Sequence, residues 1–569
     1  MKRRNFIASA ALPVLALWGC GKPHGLDAQA IEGGFTGAAH ERGHLLRDNN
    51  LRDQKAWPAP GKTTRTRVVI AGGGVAGLAA ARALRLNGVE DFALLELEDQ
   101  AGGNSRAGSV NGIACPLGAH YLPVPGDDAP EVQNFLEELG LRQRVAGRWV
   151  YDERHLCHSP QERLFFRGEW QDGLLPLQDV GRDTLAQYQK FADLVAQARQ
   201  SSTWTIPVSK SPSSHEKQAL LAITFIAYLN QHQLTDPHLR WYLDYCCKDD
   251  YGAGIATVSA WAGLHYFASR HGFHAPSSGA AASSADSGRE GVLTWPEGNG
   301  WLTRHLANPL KDRLHTGWLV TRIEVAKHGV EVDAFHPATQ STQRWQADQC
   351  IVALPMFVAA RVVQNPPQFL LEAAAKIRYA PWLVANIHLH TPLHDRPGAA
   401  PSWDNVVYNP QNHARDDAHN EARYGESLGY VDAMHQNLRS VAGPTVLTHY
   451  RALGDVPEGR KRLLQTPWAH WRDLILAELS APHPDLAAKT SRIDITRYGH
   501  AMAIPVPGNL NQDGPQVTNN LGTKLSKNEQ SNFPVGTAKS PLRFAHSDWA
   551  GYSVFEEAFT MGHLAGQIR

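Results

Sequence analysis

The sequence predicts an α/β fold that begins with a Rossmann-like dinucleotide-binding unit, and three observations predict it. A β-branched apolar run, Val68-Val69-Ile70-Ala71, leads into Gly72-Gly73-Gly74-Val75-Ala76-Gly77. An Ala- and Leu-rich stretch, Val75–Leu86, follows with the composition of a helix. A second apolar run, Phe92–Glu96, ends on a carboxylate about 20 residues beyond the glycines, where a ribose-binding acid belongs.

Each glycine of the G-x-G-x-x-G spacing has a physical task. Gly72 makes the tight turn, Gly74 lets backbone approach a pyrophosphate, and Gly77 lets helix and strand pack closely. Val75 and Ala76 head the helix, whose free N–H groups and positive dipole end suit phosphate. Glu96 would accept hydrogen bonds from ribose hydroxyls, and its charge argues against a 2′-phosphate and hence against NADP.

At 569 residues the chain is too long for one ordinary core. Lys+Arg and Asp+Glu both number 55, so the basic excess that nucleic-acid binding needs is absent. Residues 1–20 read as an export signal: Arg3-Arg4-Asn5-Phe6-Ile7 resembles a bacterial twin-arginine signal, and Phe6–Trp18 is apolar but too short to span a bilayer. Leu17-Trp18-Gly19-Cys20 resembles a lipobox with Cys20 as the acylated residue, which implies a periplasmic protein, membrane-anchored if Cys20 carries lipid. The other cysteines, 115, 157, 246, 247 and 350, show neither a disulfide framework nor zinc spacing.

Segment character divides the chain further. Residues 21–65 read as a linker and 66–130 as the first nucleotide-binding segment. Residues 131–290 are mainly helical, with helices expected over Val132–Leu139, Thr184–Ala198, Glu216–Gln231, Leu239–Cys247 and Ser259–Arg270. Strands return in a second nucleotide-binding segment, 291–366. A sheet segment covers 367–495, with strands over Val384–His390, Leu428–Asp432 and Thr445–Tyr450. A third nucleotide-binding segment spans 496–569 and contains a polar loop, 509–541.

Glu96 is followed by Leu97-Glu98-Asp99-Gln100-Ala101-Gly102-Gly103-Asn104-Ser105-Arg106, which resembles the flavin amine oxidase superfamily: monoamine and polyamine oxidases, protoporphyrinogen oxidase and phytoene desaturase-like enzymes. Gly102 and Gly103 match its Gly-Gly-Arg turn. Asn104 stands where Arg is usual, and Arg106 would supply the charge. Pro116-Leu117-Gly118-Ala119-His120-Tyr121 resembles the next stretch near the flavin, Val320 the strand residue at the adenine, and Phe544-Ala545-His546-Ser547-Asp548 the final motif, with Asp548 for its Glu. The resemblance implies FAD as cofactor. It also implies a Rossmann-like FAD-binding domain of amine oxidase type, interleaved with an α+β substrate-binding domain. With no Cys beside Trp549, it implies non-covalent FAD.

The resemblance also supplies catalytic candidates. Tyr552, supported by Trp549, matches the aromatic wall beside the flavin, a surface that attracts an amine cation. The family's Lys near flavin N5 would fall at or near Ala385; Asn386 beside it is the candidate to orient water. His500 is the candidate base, and His120 with Tyr121 a second-rank pair. Asp249, Asp250 and Tyr251 read first as a solvated helix end and second as contacts for a cationic substrate, with Lys248 offsetting part of the charge. His388 and His390 lack companion ligands, so no metal site is read. The expected activity is hydride removal from an amine or related small molecule, with oxygen or a quinone as acceptor. A desaturase- or porphyrinogen-oxidase-like dehydrogenase and an inactive FAD-binding scaffold are the alternatives.

Overall fold

Two sheets organise the chain, and each gathers strands far apart in sequence. The computed structural model describes residues 31–48, 57–157, 161–270, 272–276, 291–409, 425–435, 442–508 and 540–568. The expected signal with Cys20, the Ser-rich stretch from 277 onward and almost all of the polar loop lie outside these residues.

The first sheet is centred on Lys62–Ala71, with Phe92–Leu95 parallel on one side and Ser341–Val352 parallel on the other. Gly329–His336 and Leu319–Ala326 extend it antiparallel, and Leu542–Phe544 also pairs with Ser341–Val352. Val68 through Ala71 are wholly buried, because a central parallel strand is covered on both faces. The Val75–Leu86 helix follows, and the terminal helix Phe555–Ala565 packs on it. A Cβ at Gly562 would lie 2.0 Å from the Ala76 carbonyl oxygen, so the terminal helix reaches the first turn of the nucleotide helix only because residue 562 has no side chain.

The second sheet has eight strands among the described residues, in the order Glu32–Phe35, Thr490–Ile504, Arg378–Leu389, Thr445–Ala452, Ser427–Asp432, Asp404–Val407, Glu162–Phe166 and Glu169–Asp172. In Arg378–Leu389, Leu383, Ala385 and Ile387 pack toward Trp471, Ile475 and Leu479 of the Trp468–Leu479 helix. Trp382 and Val384 share the other core with the helices between residues 182 and 268. The period-2 alternation of a strand separates the two sets.

Three expectations change. The described part of the supposed linker contains the strand Glu32–Phe35, parallel to Thr490–Ile504, and the helix His40–Asp48. Ala39 N–H meets the Glu98 carboxylate at 3.1 Å, and Arg42 grips Asp99. Such a short, Gly-rich strand has no local signal; its partner lies more than 450 residues away. The single helix expected over Glu216–Gln231 is two, His215–Leu221 and Phe225–Gln231, because Thr224 caps the second by accepting from Ala227 N–H. The mainly helical segment also supplies the strands Glu162–Phe166 and Glu169–Asp172.

Gly562→Val places atoms where the Ala76 carbonyl sits, and overpacking of this kind costs typically about 1–3 kcal/mol. Urea unfolding should show a correspondingly lower midpoint; an unchanged midpoint would mean that this helix pair tolerates separation.

Candidate active site

The glycine turn builds a slot for a pyrophosphate. Gly72 has φ +103°, and a Cβ there would lie 2.3 Å from Ala353 O. A Cβ at Gly77 would lie 1.9 Å from Gly72 O, so strand, turn and helix close only on glycines. Gly74 is the helix N-cap, and no side chain caps the first turn. Opposite it stands Gly103, whose Cβ would lie 3.2 Å from Gly74 Cα. Val75 and Ala76, both buried, carry the first helical N–H groups into this cradle. Gly102 N–H donates to Gly73 O at 2.7 Å and locks the two turns together.

Glu96 is buried at the end of its strand and accepts from Gly73 N–H and Glu98 N–H, both at 2.8 Å. Burial pushes its carboxyl pKa up, against the pull of those two donors. Val320, buried, shares a core with Leu95 and with Leu46 of the His40–Asp48 helix. Arg106 turns back onto its own loop, donating to Gly103 O at 2.9 Å and pairing with Glu98 at 3.4 Å. Asn104 donates to Ala501 O at 2.6 Å and ties the turn to the second sheet. Asp548 accepts from Met356 N–H at 3.0 Å and Tyr379 OH at 2.5 Å and lies 3.2 Å from His546 Nδ1. Burial opposes its ionisation, but His546 and these donors outweigh burial and hold its pKa below the usual range. Its carboxylate thus braces the Pro355–Met356 turn beside the slot.

Residues 116–121 separate this slot from a second space. Leu117 N–H donates to Arg106 O at 3.0 Å and Ala119 N–H to Asn104 O at 2.8 Å. From the sheet side, Asn386 Nδ2 donates to Pro116 O at 3.1 Å and Tyr450 OH to Gly118 O at 2.9 Å. Thr448 Oγ1 donates to Asn386 Oδ1 at 2.8 Å, so Asn386 fastens this loop. Ala385 points to the opposite face of the sheet.

Beyond the loop, His120 stacks on Tyr450 at 4.4 Å and approaches Trp403 at 5.4 Å. Tyr121 OH donates to Asp249 at 3.0 Å, and Tyr245 OH to Asp404 at 3.3 Å. Burial lifts Asp249 and Glu162 to about 7 and Asp404 well above the carboxylate range; Asp250 adds to the rise at Asp249, Asp172 and Asp249 to that at Glu162, and Asp249 and Glu162 to that at Asp404. Desolvated this strongly, the three still keep part of their surface accessible, so they line a recess. Asp250 pairs with Arg270 at 2.7 Å, whereas among the described residues Asp249, Glu162 and Asp404 have no ion-pair partner. Lys248 turns away to Asp244 at 2.7 Å, so it does not offset Asp249, and the expected solvated helix end is instead part of a desolvated acidic wall. Burial holds the His120 imidazole neutral, with its pKa near 3.

The sequence-derived catalytic candidates do not converge. Tyr552 is wholly buried against Tyr251, Trp261 and His265 at 5.2–5.7 Å between ring centroids. Trp549 packs on Phe369 and Phe544. His500 stacks on Phe357 at 4.3 Å, and burial, with help from Arg460, His44 and Arg361, lowers its pKa to about 4. It stands near Tyr379 and Asp548, remote from the acidic wall in its contacts. The second-rank pair His120 and Tyr121 does meet, and Asp249, expected first as part of a solvated helix end, joins it through Tyr121 OH. Glu162, Tyr245, Trp403, Asp404 and Tyr450 complete their cavity without any local sequence signal.

Residues 75–498 match the family described as flavin containing amine oxidoreductase. The fold is similar to that of putrescine oxidase bound to putrescine, at TM-score 0.59 and 16% identity, covering 89% of this chain and 99% of that one. It is also similar to cyclohexylamine oxidase from Brevibacterium oxydans, at TM-score 0.54 and 17% identity over 88% and 98% of the two chains. A fatty acid isomerase from P. acnes shares the fold at TM-score 0.56 and 16% identity, over 88% and 97%. A Drosophila melanogaster protein, anon-37Cs, is 29% identical over 110 residues, 19% of this chain and 22% of that one, so the chain spans about a fifth of that curated relative.

Asp249 and Glu162 titrate higher in the folded chain than in the unfolded one, so the folded state holds the extra protons. Their contribution to stability is full below the unfolded pKa of about 4 and is lost as pH rises through about 7. The melting temperature of ligand-free protein should therefore carry a component that falls over this window. Asp249→Asn should reduce that component, and an identical pH–melting profile for the variant would contradict the assignment.

Proposed function

The chain belongs to the flavin-containing amine oxidoreductase family and is an FAD-dependent oxidoreductase, and we propose that its substrate is a small cationic amine taken up by the carboxylate-lined cavity. The observation that carries this is the set Asp249, Glu162 and Asp404, strongly desolvated, without an ion-pair partner among the described residues and flanked by Tyr121, Trp403 and Tyr450. Buried charges are tolerated only when paired. An ammonium satisfies the carboxylates, and aromatic faces attract the same charge.

The residues present fit FAD. Gly74 and Gly103 leave the space that a pyrophosphate needs, Glu96 suits the ribose, and Asp548 and Arg106 stiffen the turns around them. When bound, FAD accepts the two electrons and proton that leave the carbon next to nitrogen. The protein's share is to hold the ammonium at Asp249, exclude water with the aromatic walls and let the amine shed its proton before oxidation. A carboxyl with pKa near 7 is matched to exchange that proton near neutral pH. Neutral His120 offers a second acceptor beside the loop that adjoins the nucleotide slot.

A second reading concerns the electron acceptor. Trp382, Val384 and Asn386 put no cation on the cofactor side of their strand, where the family's Lys would stand. This supports transfer to a quinone or another carrier over direct oxidation by oxygen. Export is also part of the proposal: Arg3-Arg4 and the apolar run support twin-arginine passage, and Cys20 supports a lipid anchor in the periplasm. Cell fractionation should recover the protein with membranes, and in the soluble periplasm after Cys20→Ala; a cytoplasmic wild type would refute export.

Purified protein should carry flavin that denaturation releases, and a screen of small amines should bleach it anaerobically. For an amine that does, kcat/KM should rise with pH through about 7, as Asp249 and Glu162 ionise. Asp249→Asn should raise KM about 10-fold or more, the equivalent of about 1.4 kcal/mol, with a smaller change in kcat. Bound flavin that no amine bleaches would sink the substrate assignment and leave the cofactor intact.

A further inference from the structure

We propose that the hairpin formed by Arg142–Val145 and Arg148–Tyr151 is a docking finger for an anionic lipid surface. Among the described residues these two strands pair only with each other, in the register Arg142↔Tyr151 to Val145↔Arg148. Every residue from Gln143 to Val150 is exposed, so neither face of the finger rests on the body of the protein. A two-stranded hairpin standing in water is marginally stable, because it has no second layer to bury its apolar side chains.

Its composition is unusual for a free surface. Among the described residues eight large hydrophobics are exposed, and three are here: Val145 at 56%, Trp149 at 46% and Val150 at 45%. Gln143 is paired with Val150 and Arg144 with Trp149, and paired residues share a face, so apolar groups emerge on both sides. The tip is a two-residue turn, with Ala146 at φ +47° and Gly147 at φ +83°. Arg142, Arg144 and Arg148 are its charges, and no acid lies between 142 and 151. Arg142 lies 3.8 Å from the Trp149 ring centre and pairs with Glu137, which braces the base. Of the four flanking acids, Glu137, Glu138 and Asp152 are paired with Arg142, Arg82 and Arg154, and Glu153 lies beyond the strand's end.

The charge and shape select the partner. Positive charge at Arg144 and Arg148 complements lipid phosphate, Trp favours the headgroup level, and the valines suit the acyl boundary just below it. A thin finger that is apolar on both faces fits a fluid layer, which closes around it, better than a flat protein surface, which would cover one face. The amino-terminal sequence, with Cys20 as its candidate acylated residue, independently expects a membrane nearby, and stable attachment ordinarily takes two such signals.

The test uses the flavin-loaded chain carrying Cys20→Ala, so that no acyl chain contributes. It should co-sediment with vesicles of equal phosphatidylglycerol and phosphatidylcholine, and far less with phosphatidylcholine alone. The triple variant Val145→Ser, Trp149→Ser, Val150→Ser should lose at least about 10-fold in partitioning, and Arg144→Glu with Arg148→Glu should lose binding most strongly at low salt. Retained flavin absorbance in each variant shows that the fold is intact; if the triple variant loses flavin, the charge-reversed pair decides. A parent chain that stays in the supernatant, equal binding to both vesicles, or binding unmoved by variants that keep flavin overturns the proposal.

Discussion

Tyr450 donates its hydroxyl to Gly118 O at 2.9 Å, and from the opposite side Ala119 N–H donates to Asn104 O at 2.8 Å. Between these bonds the chain has no room for a side chain, since a Cβ at Gly118 would lie 2.2 Å from Asn104 O. The loop is therefore suspended between the nucleotide turn and the second sheet, and neither domain alone positions it. His120 and Tyr121, which follow directly, inherit their placement from both. A shift of the second sheet would move the acidic wall and the floor of the nucleotide slot together. This coupling lets two interleaved domains present one site.

Gathering Asp249, Glu162 and Asp404 away from water is electrostatically expensive. Burial raises Asp249, Glu162 and Asp404, Asp250 adds to the rise at Asp249, and Asp249 adds to it at Glu162 and Asp404, while Arg270 is committed to Asp250. Lys248, adjacent in sequence, is committed to Asp244. Asp249 and Glu162 are thus poised between protonated and ionised forms near neutral pH, while burial holds Asp404 toward its protonated form. A cationic ligand relieves the repulsion and the desolvation at once, so binding selects charge before shape. Groups that titrate together act as a set, and the protons belong to the cluster more than to any one carboxyl.

What the sequence disclosed follows the range of the forces involved. The strand–turn–helix from Val68 to Leu86 was legible because its requirements are local: an apolar run, glycines at fixed spacing and a helix start. The family resemblance extended that reading to FAD. The strand Glu32–Phe35 was invisible because its stability comes from pairing with residues 492–495. Asp404 and Glu162 were invisible for the same reason, since neighbouring strands bring them beside a helix residue, Asp249. Tyr552 and Trp549 were named from a motif that fixes their backbone, yet their rings turn into cores on different sides of it. His500 likewise stands by Phe357 and Tyr379, because the Thr490–Ile504 strand carries it past the end of the cavity.

The strand Arg378–Leu389 shows how finely such a site is set. A strand alternates its faces, so a displacement of one residue exchanges cofactor side for far side. Ala385 lies on the far side, in the core with Leu383 and Ile387, and cannot stand for a residue that touches cofactor. Val384 and Asn386 flank it on the near side, and Asn386 spends its amide on Pro116 and Thr448. That strand therefore steadies the partition loop where its relatives are expected to place a positive charge. A flavin left without that charge has lost one electrostatic aid to reacting with oxygen, while its hydrogen-bonded frame is intact. On the proposed function, the reducing half of the reaction falls to the acidic recess, and the oxidising half to what the Asn386 side of the sheet omits.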